Sequence, residues 1–348
     1  MELYIFDRAQ GLQDIVDNAT SIRWRRKYFE PGEVEVHVPA SKEYMELLKE
    51  GRIIRRIDRR EAAIIEKVEV VGNDMAITGR MLSAILSNAI LSECYTLRTA
   101  PEKAMKALIV EGTRVVPELS AAAVVGLPGA TVNLQATYKN LLTVETRLAR
   151  TSGLGFLVEF AGVGEMIFDV YTGQDRSVEQ ADRPRVIFSD EFGNLTAPRY
   201  TKTSVDYKNR AYVGGQGEGA DRVMVLVDKV AQGEDVREIF VDAKDIQMEE
   251  GMTEAEYKTL LQQRGLDKLA ECQKVESFEG DGENVENFEY MKDWDLGDIV
   301  TVEYTRLGIT MNERVTEVEE VFEGGVATYT PVFGSPLPEK LDLGDDTE

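Results

Sequence analysis

The side chains that most often do chemistry are sparse in this sequence of 348 residues. The single histidine, His37, lies in the alternating segment Val34–Val38. Because a zinc site needs several His, Cys or carboxylate ligands together, we interpret His37 as a half-buried strand residue. Cys94 and Cys272 form no CxxC pair, so we expect two structural thiols in a reducing compartment. We therefore predict no catalytic, metal or cofactor-binding residues.

Familiar catalytic motifs are missing as well. The sequence contains no GxSxG nucleophile elbow, no Walker A loop and no HExxH zinc motif. It does contain 63 Asp and Glu residues, so chance pairs of carboxylates must occur. We expect a protein without enzymatic activity. General acid–base catalysis by a pair of acids within residues 96–185 stays open as an alternative.

A glycine-rich segment, Gly214–Gly219, has the GxGxG spacing of some phosphate-binding loops. The residues that follow it, Arg222–Val227, have the composition of a strand rather than of a helix, and Glu218 and Asp221 place negative charge where a phosphate would lie. The segment therefore predicts a turn or bulge that shapes a barrel corner or a subunit contact.

Charge is distributed unevenly along the chain. The net charge is −23, and residues 228–348 hold 11 Lys and Arg against 32 Asp and Glu, whereas residues 1–110 hold 17 of each. Such an acidic field repels phosphate and argues against sequence-independent nucleic-acid binding. The basic stretch Ser21–Tyr28 alternates charged and apolar positions, so we interpret it as a strand with Ile22, Trp24 and Tyr28 on or near the inner face. Because it mixes Arg with an aromatic residue, nucleic-acid binding is the alternative.

The elements that position these residues are predicted from a pattern that occurs twice. In Gly51–Thr78 and again in Gly297–Thr330, a glycine opens a strand, a polar loop follows, and two further strands flank a tight turn. A hairpin-like segment precedes each copy, at Ser21–Val38 and at Tyr200–Val227. The repeat predicts two related β-barrel halves, with two unrelated meanders as the alternative.

Helices are predicted from capping residues and from apolar positions at helical spacing. The predicted segments are Ser41–Lys49, Arg80–Asn88, Pro101–Glu111, Asn140–Ser152 and Thr253–Gln273. The last of them begins with a capping box, and we place it where the short helix Ser41–Lys49 lies in the first copy.

Together these patterns predict a β-rich α+β protein with two related β-barrel domains, an α+β insert and a helical elaboration. The predicted units are a first barrel at residues 1–95, the insert at 96–185, a second barrel at 186–245 and 290–335, the elaboration at 246–289 and an acidic tail at 336–348. No run approaches the roughly 20 apolar residues that span a bilayer, and no signal-peptide pattern opens the chain, so we expect folding in a cytoplasm.

Several of these segments resemble a known family, the siphovirus Gp37-like tail hub proteins of long-tailed phages, which are related in architecture to the hub of contractile baseplates. The resemblance is carried by Tyr212–Arg222, by Gly297–Val300 with Arg314–Val318, and by Pro331–Gly334, and it covers essentially the whole chain. It implies two related barrel domains in each chain. Three subunits then form a ring of six similar units that matches a tail tube of sixfold symmetry.

The function that this resemblance implies is structural. The protein is expected to be a baseplate hub at the tail tip, in the virion, after assembly in the host cytoplasm. The implied partners are two further copies of the chain, a distal tail or tail tube protein, the tape measure protein and tip or receptor-binding proteins, with DNA passing through unbound. A tail-associated peptidoglycan hydrolase and a monomeric β-rich binding module are the alternatives.

The acidic last third also predicts which surface faces the passing DNA. A channel rich in Lys and Arg would bind phosphates and hold the genome back. We therefore expect acidic side chains at the channel or its rim, with an outer solubilising face as the alternative. The candidates are Glu303, Glu313, Glu317, Glu319, Glu320 and Glu323.

Overall fold

The structure, a computed structural model, describes residues 1–8, 11–162, 164–282 and 288–334. Strands predominate and helices are few, so the predicted β-rich α+β class is confirmed. The predicted acidic tail at residues 336–348 lies outside the described residues, as does part of the predicted elaboration at 246–289. None of the helices in the described ranges has the length and apolar content needed to cross a bilayer.

The N-terminal part of the chain forms antiparallel strands around an apolar core. Its elements are β1 (Leu3–Asp7), β2 (Gly11–Val16), β3 (Ser21–Lys27), β4 (Glu33–Pro39), α1 (Lys42–Leu47), β5 (Ile53–Arg55), β6 (Ala62–Val71) and β7 (Asp74–Met81). These strands pair in the order β2-β1-β5-β6-β7-β4-β3. Leu3 of β1 and Trp24 of β3 share the core, so the sheet curls around it, and Ser41 caps α1 as predicted.

An α+β segment with its own core follows. Its elements are a short 3-10 helix (Leu82–Asn88), β8 (Tyr95–Thr99), α2 (Pro101–Val115), β9 (Leu119–Ala121), β10 (Val132–Ala136), α3 (Leu141–Ser152), β11 (Gly155–Gly162) and β12 (Glu165–Tyr171). Pro101 occupies the first turn of α2, and the Asn140 side chain caps α3. Gly153 ends α3 in the left-handed conformation, with φ 73°, as its C-cap position predicts.

The C-terminal part continues the first sheet. Its elements are β13 (Ile187–Ser189), β14 (Leu195–Thr203), β15 (Arg210–Gly214), β16 (Met224–Asp228), β17 (Glu238–Asp242), α4 (Glu254–Glu271), β18 (Val275–Gly282), β19 (Ile299–Tyr304), β20 (Ile309–Glu323) and β21 (Val326–Gly334). The order β14-β18-β21-β20 continues directly into β3, so one large sheet spans both parts of the chain. The strands β15 to β17 form a separate sheet that packs against α4.

The two predicted copies correspond down to individual hydrogen bonds. The backbone N–H of Gly51 donates to the Ile65 carbonyl at 2.8 Å, and the N–H of Gly297 donates to the Val315 carbonyl at 2.8 Å. Both glycines have positive φ, 81° and 93°, which favours glycine at this position. A bulge follows the acceptor residue in both β6 and β20. The repeat predicted from the sequence is therefore confirmed in its strand order.

Two details of the predicted repeat are wrong. The strand β14 pairs with β18, whereas β15 and β16 form a hairpin in the separate sheet, so the expected hairpin at Tyr200–Val227 does not exist as one unit. In the chain, α4 accordingly lies between β14 and β18, which pair with each other. In the first copy, α1 comes after both of the equivalent strands, β3 and β4. The cause is an insertion between Thr203 and Val275, at the place where only residues 28–32 join β3 to β4 in the first copy.

Candidate functional site

The two copies meet where β3 pairs with the distal part of β20. The pairing is antiparallel, with Arg25 opposite Glu319 and Trp24 opposite Glu320. On β20 it begins after the bulge, because the preceding residues 309–314 pair with β19 along the same edge. We call this β3–β20 ladder the junction. It makes the two copies one continuous sheet.

A buried carboxylate anchors the inner side of the junction. Glu320 is fully buried, and its Oε2 accepts hydrogen bonds from Arg56 Nη1 at 2.7 Å and from Arg59 Nη2 at 2.6 Å. Asp58 accepts further bonds from both arginines. Burial alone would lower the pKa of Arg59, but the hydrogen bond and the charge of Glu320 raise it. The result is a charged network that ties the β5–β6 loop to β20.

A second buried network also crosses the junction. Arg26 of β3 donates to Glu61 Oε1 at 2.6 Å, to the Tyr290 hydroxyl at 2.6 Å and to Asp295 Oδ1 at 2.7 Å. Burial would lower the pKa of Arg26, but Glu61, Tyr290 and Asp295 raise it well above its ordinary value. Burial would raise the pKa of Glu61, but the charge of Arg26 and the hydrogen bonds to Glu61 together outweigh burial, and the pKa of Glu61 lies below its ordinary value. Both side chains therefore stay ionised inside the protein.

The opposite side of the same sheet carries charges of alternating sign. Arg80 bonds to Glu66 at 2.7 Å and stands opposite Glu33. Arg25 lies 4.0 Å from Glu33 and 3.3 Å from Glu319. These five residues cross β6, β7, β4, β3 and β20, and a depression of about 310 Å³ lies over them. We call this surface the charged face, and it runs without interruption across the junction.

His37 belongs to the charged face. It is half-buried in β4, as predicted, with its Nδ1 2.7 Å from Asp74 Oδ2 and its Nε2 2.9 Å from Glu35 Oε1. Hydrogen bonds to Glu35 and Asp74 raise the pKa of His37 above its ordinary value. The imidazole thus links β4 to β7 through Asp74, while Glu35 holds its other ring nitrogen within β4.

The acids predicted for the channel do not share one environment. Glu317 and Glu319 lie on the solvent side of β20, and Glu323 is exposed beside the β20–β21 turn. Glu320 contradicts the prediction, because adjacent strand residues point to opposite faces and its carboxylate is bonded to buried arginines. The remaining two candidates are half-buried on β19 and β20, namely Glu303 and Glu313.

The glycine-rich segment forms the turn between β15 and β16. A Cβ atom at Gly214 would lie 2.6 Å from the Arg222 guanidinium, and one at Gly215 would lie 2.3 Å from the Tyr257 hydroxyl. Close packing against these side chains therefore favours glycine at both positions. The predicted turn is confirmed, but it shapes the small sheet on α4 rather than the corner of a barrel.

The cysteines lie apart from the junction and from the charged face. Cys94 is exposed and its Sγ lies 3.5 Å from Glu249 Oε1. Cys272 follows the last residue of α4, where partial burial raises the pKa of its thiol. Within the described ranges, no three His, Cys, Asp or Glu side chains converge into a group that could hold a metal ion.

Comparison with known proteins shows the family to which the chain belongs. Residues 2–335 match the protein family described as Siphovirus ReqiPepy6 Gp37-like protein. The chain belongs to the siphovirus Gp37-like family. The resemblance drawn from the sequence is thereby confirmed over nearly its full length. No curated protein sequence matches the chain.

Solved structures of tail proteins share the fold. The tail protein from Neisseria meningitidis MC58 superposes with a TM-score of 0.61 at 12% identity, over 96% of each chain. The prophage tail protein gp18 from Listeria monocytogenes EGD-e gives 0.59 at 11%, over 97% of this chain and 96% of that one. The 43 kDa tail protein of prophage MuSo2 from Shewanella oneidensis gives 0.58 at 12%, over 96% and 98%. This Gp37-like protein thus shares its fold with these tail proteins.

Proposed function

We propose that this protein is the structural hub at the distal end of a phage tail tube, where three copies form a closed ring. The observation that carries the proposal is the repeat itself, since one chain holds two equivalent strand sets that are joined edge to edge in one sheet. Three chains supply six such sets. That number matches a tube of sixfold symmetry, and closed rotational symmetry is the usual form of soluble homo-oligomers.

The charged face supports a role in DNA passage. One side of the sheet is buried in the apolar core that contains Trp24, so the charged face is the side left to solvent and, in the proposed ring, to the channel. Arg25 stands between Glu33 and Glu319, and Arg80 lies beside Glu66 and Glu33. DNA binds proteins strongly when their cations replace its counterions. Cations already paired with carboxylates give DNA little to bind, so it passes without being held.

The proposed hub joins two sets of neighbours. A distal tail or tail tube protein lies on one side of the ring, tip or receptor-binding proteins lie on the other, and the tape measure protein ends near the channel. The two copies act as hub domains at residues 1–95 and at 186–245 with 290–335, and the α+β insert at 96–185 lies outside the ring. In this arrangement the protein works in the virion as a scaffold and catalyses no reaction.

Native mass spectrometry and a symmetric cryo-EM average of the purified protein test the proposal. A mass of three subunits with a central hole is the expected result, and a monomer would contradict it. The same preparation should leave peptidoglycan intact. Lysis that disappears when one acid within residues 96–185 is replaced would favour the hydrolase instead.

A further inference from the structure

The two strands that pair at the junction each have an equivalent strand in the other copy, and the edges of those equivalent strands have no such pairing among the described residues. In the junction, β3 pairs with the part of β20 that follows the bulge. The strand equivalent to β20 is β6, and from Lys67 onward β6 pairs with β7 alone among the described residues. The strand equivalent to β3 is β14, whose residues Arg199–Thr203 pair with β18 alone within the same ranges. Unpaired edges of this kind readily add another strand.

The equivalence of the strands can be followed residue by residue through the sheet. In the first copy, residues that stand opposite one another in turn are Trp24, Val34, Gly79 and Ile65. In the second copy, the same positions are Tyr200, Phe278, Phe333 and Val315. Tyr200 thus corresponds to Trp24, and Ile65 to Val315. Both Ile65 and Val315 directly precede a bulge, which fixes the alignment independently.

Exposed apolar side chains mark the edge of β6. Val70 is 46% exposed and Val71 is 71% exposed, near the end of a strand whose counterpart β20 is covered by β3. Val70 corresponds to Glu320, because each lies five positions after the aligned residue that precedes the bulge. In the junction, Glu320 stands opposite Trp24. The equivalent partner of Val70 is therefore Tyr200.

We propose that the edge of β6 in one subunit pairs antiparallel with β14 of the next subunit, which rests on the proposed ring. The junction sets the register. Val70 stands opposite the partner subunit's Tyr200, Glu69 opposite the partner subunit's Thr201, and Val71 opposite the partner subunit's Arg199. Each subunit thereby repeats, with its neighbour, the strand pairing that it makes internally between β3 and β20.

The two kinds of contact differ in chemistry. The junction pairs Arg25 with Glu319 at 3.3 Å and buries Glu320 between arginines. The subunit interface pairs Val70 with the partner subunit's Tyr200 and Glu69 with the partner subunit's Thr201, so no directly opposed positions in it set a cation against a carboxylate. Salt screens ion pairs but leaves apolar contacts and ladder hydrogen bonds in place. The ring is therefore held between subunits by contacts that survive high salt.

Disulfide trapping tests the register. The variant carries Glu69→Cys and Thr201→Cys in a chain whose Cys94 and Cys272 are replaced by Ser. Residues directly opposite in an antiparallel pair bring their Cβ atoms within the reach of a disulfide. Mild oxidation should link subunits into covalent species of two and three chains, with nothing larger because the ring closes.

Matched variants control for geometry. The pair Arg25→Cys with Glu319→Cys occupies the equivalent positions in the junction and should form a bond within one chain. The pair Glu69→Cys with Thr203→Cys is two residues out of register and should stay unlinked. Linking of the out-of-register pair in preference to Glu69 with Thr201 would overturn the proposed alignment.

A charged substitution gives a second readout. Val70→Glu should split the trimer into folded monomers, because it buries an unpaired carboxylate in the subunit interface. Val326→Glu, at a position 62% exposed beside the β20–β21 turn, should leave the trimer intact. A native trimer that survives Val70→Glu and never links through Glu69 and Thr201, while the junction control links, would overturn this interface and leave the ring standing. A monomeric parent protein would overturn both proposals.

Discussion

Arg56 and Glu320 are 264 residues apart in the sequence, yet Arg56 Nη1 donates a hydrogen bond of 2.7 Å to Glu320 Oε2 in the interior of the protein. The bond connects the loop before β6 to β20, the strand of the second copy that is equivalent to β6. Burying charges costs free energy that only well-placed partners return. The relative position of the two copies is therefore fixed by buried charged groups, because removing one of them would leave its partner buried and unpaired.

Removing the carboxylate should expose this cost. Glu320→Gln leaves Arg56 and Arg59 buried beside a neutral side chain, and we expect the free energy of unfolding to fall by about 3–5 kcal/mol. Urea unfolding followed by circular dichroism measures the change. Glu323→Gln, on an exposed residue three positions along the same strand, should alter stability by less than about 0.5 kcal/mol. Equal losses in the two variants would show that the network contributes nothing.

A second buried acid, Glu145, should lower the stability of the folded protein, so replacing it should raise the free energy of unfolding. Glu145 of α3 is fully buried, neither of its carboxylate oxygens has a hydrogen-bond partner among the described residues, and burial raises its pKa well above the ordinary value. The unfolded chain ionises this group above its ordinary pKa while the folded chain keeps it protonated, so the group costs stability as pH rises.

The variant Glu145→Gln removes that titration. We expect it to be more stable than the parent at pH 7, by about 1 kcal/mol or more, with the advantage shrinking toward pH 4. Thermal unfolding of both proteins at several pH values measures it. An advantage that is the same at pH 4 and pH 7 would contradict ionisation as its cause.

Local rules predicted much of this fold from the sequence. Ser41, Asn140 and Thr253 cap the helices that their side chains indicate, and the opening glycines of the two copies make the same hydrogen bond. Such features depend on neighbours in the chain. The repeat was visible because equivalent turns and bulges demand similar residues in both copies.

Long-range partners explain what the sequence did not reveal. Strand alternation predicted Trp24 and Tyr28 on the inner face, and Arg26 lies between them in the same phase, but its burial depends on Glu61 and Asp295. No local sequence pattern predicts that these two acids pair with Arg26. The position of α4 in the repeat was predicted wrongly for a related reason. The strands β14 and β18 pair with each other, but the whole insertion that contains α4 separates them in the sequence.

His37 gives the charged face a pH-dependent bond. Its folded-state pKa is raised by Glu35 and Asp74, so its stabilising contribution is full below the ordinary value of 6.5 and is lost as pH rises through the folded pKa. The His37 side chain is 30% exposed, so we expect an effect below about 1 kcal/mol. The melting temperature of the parent minus that of His37→Gln should be larger at pH 5.5 than at pH 8.5. A difference that grows with pH would contradict the assignment.

The charge of the sheet surface should control the passage of DNA. Glu317 and Glu319 lie on the solvent side of β20, and Glu319 bonds to Arg25. Replacing both acids by Lys removes one carboxylate partner of Arg25 and adds two cations to the charged face, so DNA phosphates can bind there with release of counterions. We expect phage particles that carry this double variant to assemble tails but to eject DNA more slowly.

Salt supplies the decisive comparison. Binding that depends on counterion release weakens by orders of magnitude as salt rises from about 50 to 200 mM, so the delay should disappear over that range. The matched control replaces Glu254 and Glu271 by Lys, which changes the net charge equally on α4, away from the charged face. Ejection as fast as in the parent, or slowed equally in the control, would show that the charged face does not line the path of the DNA.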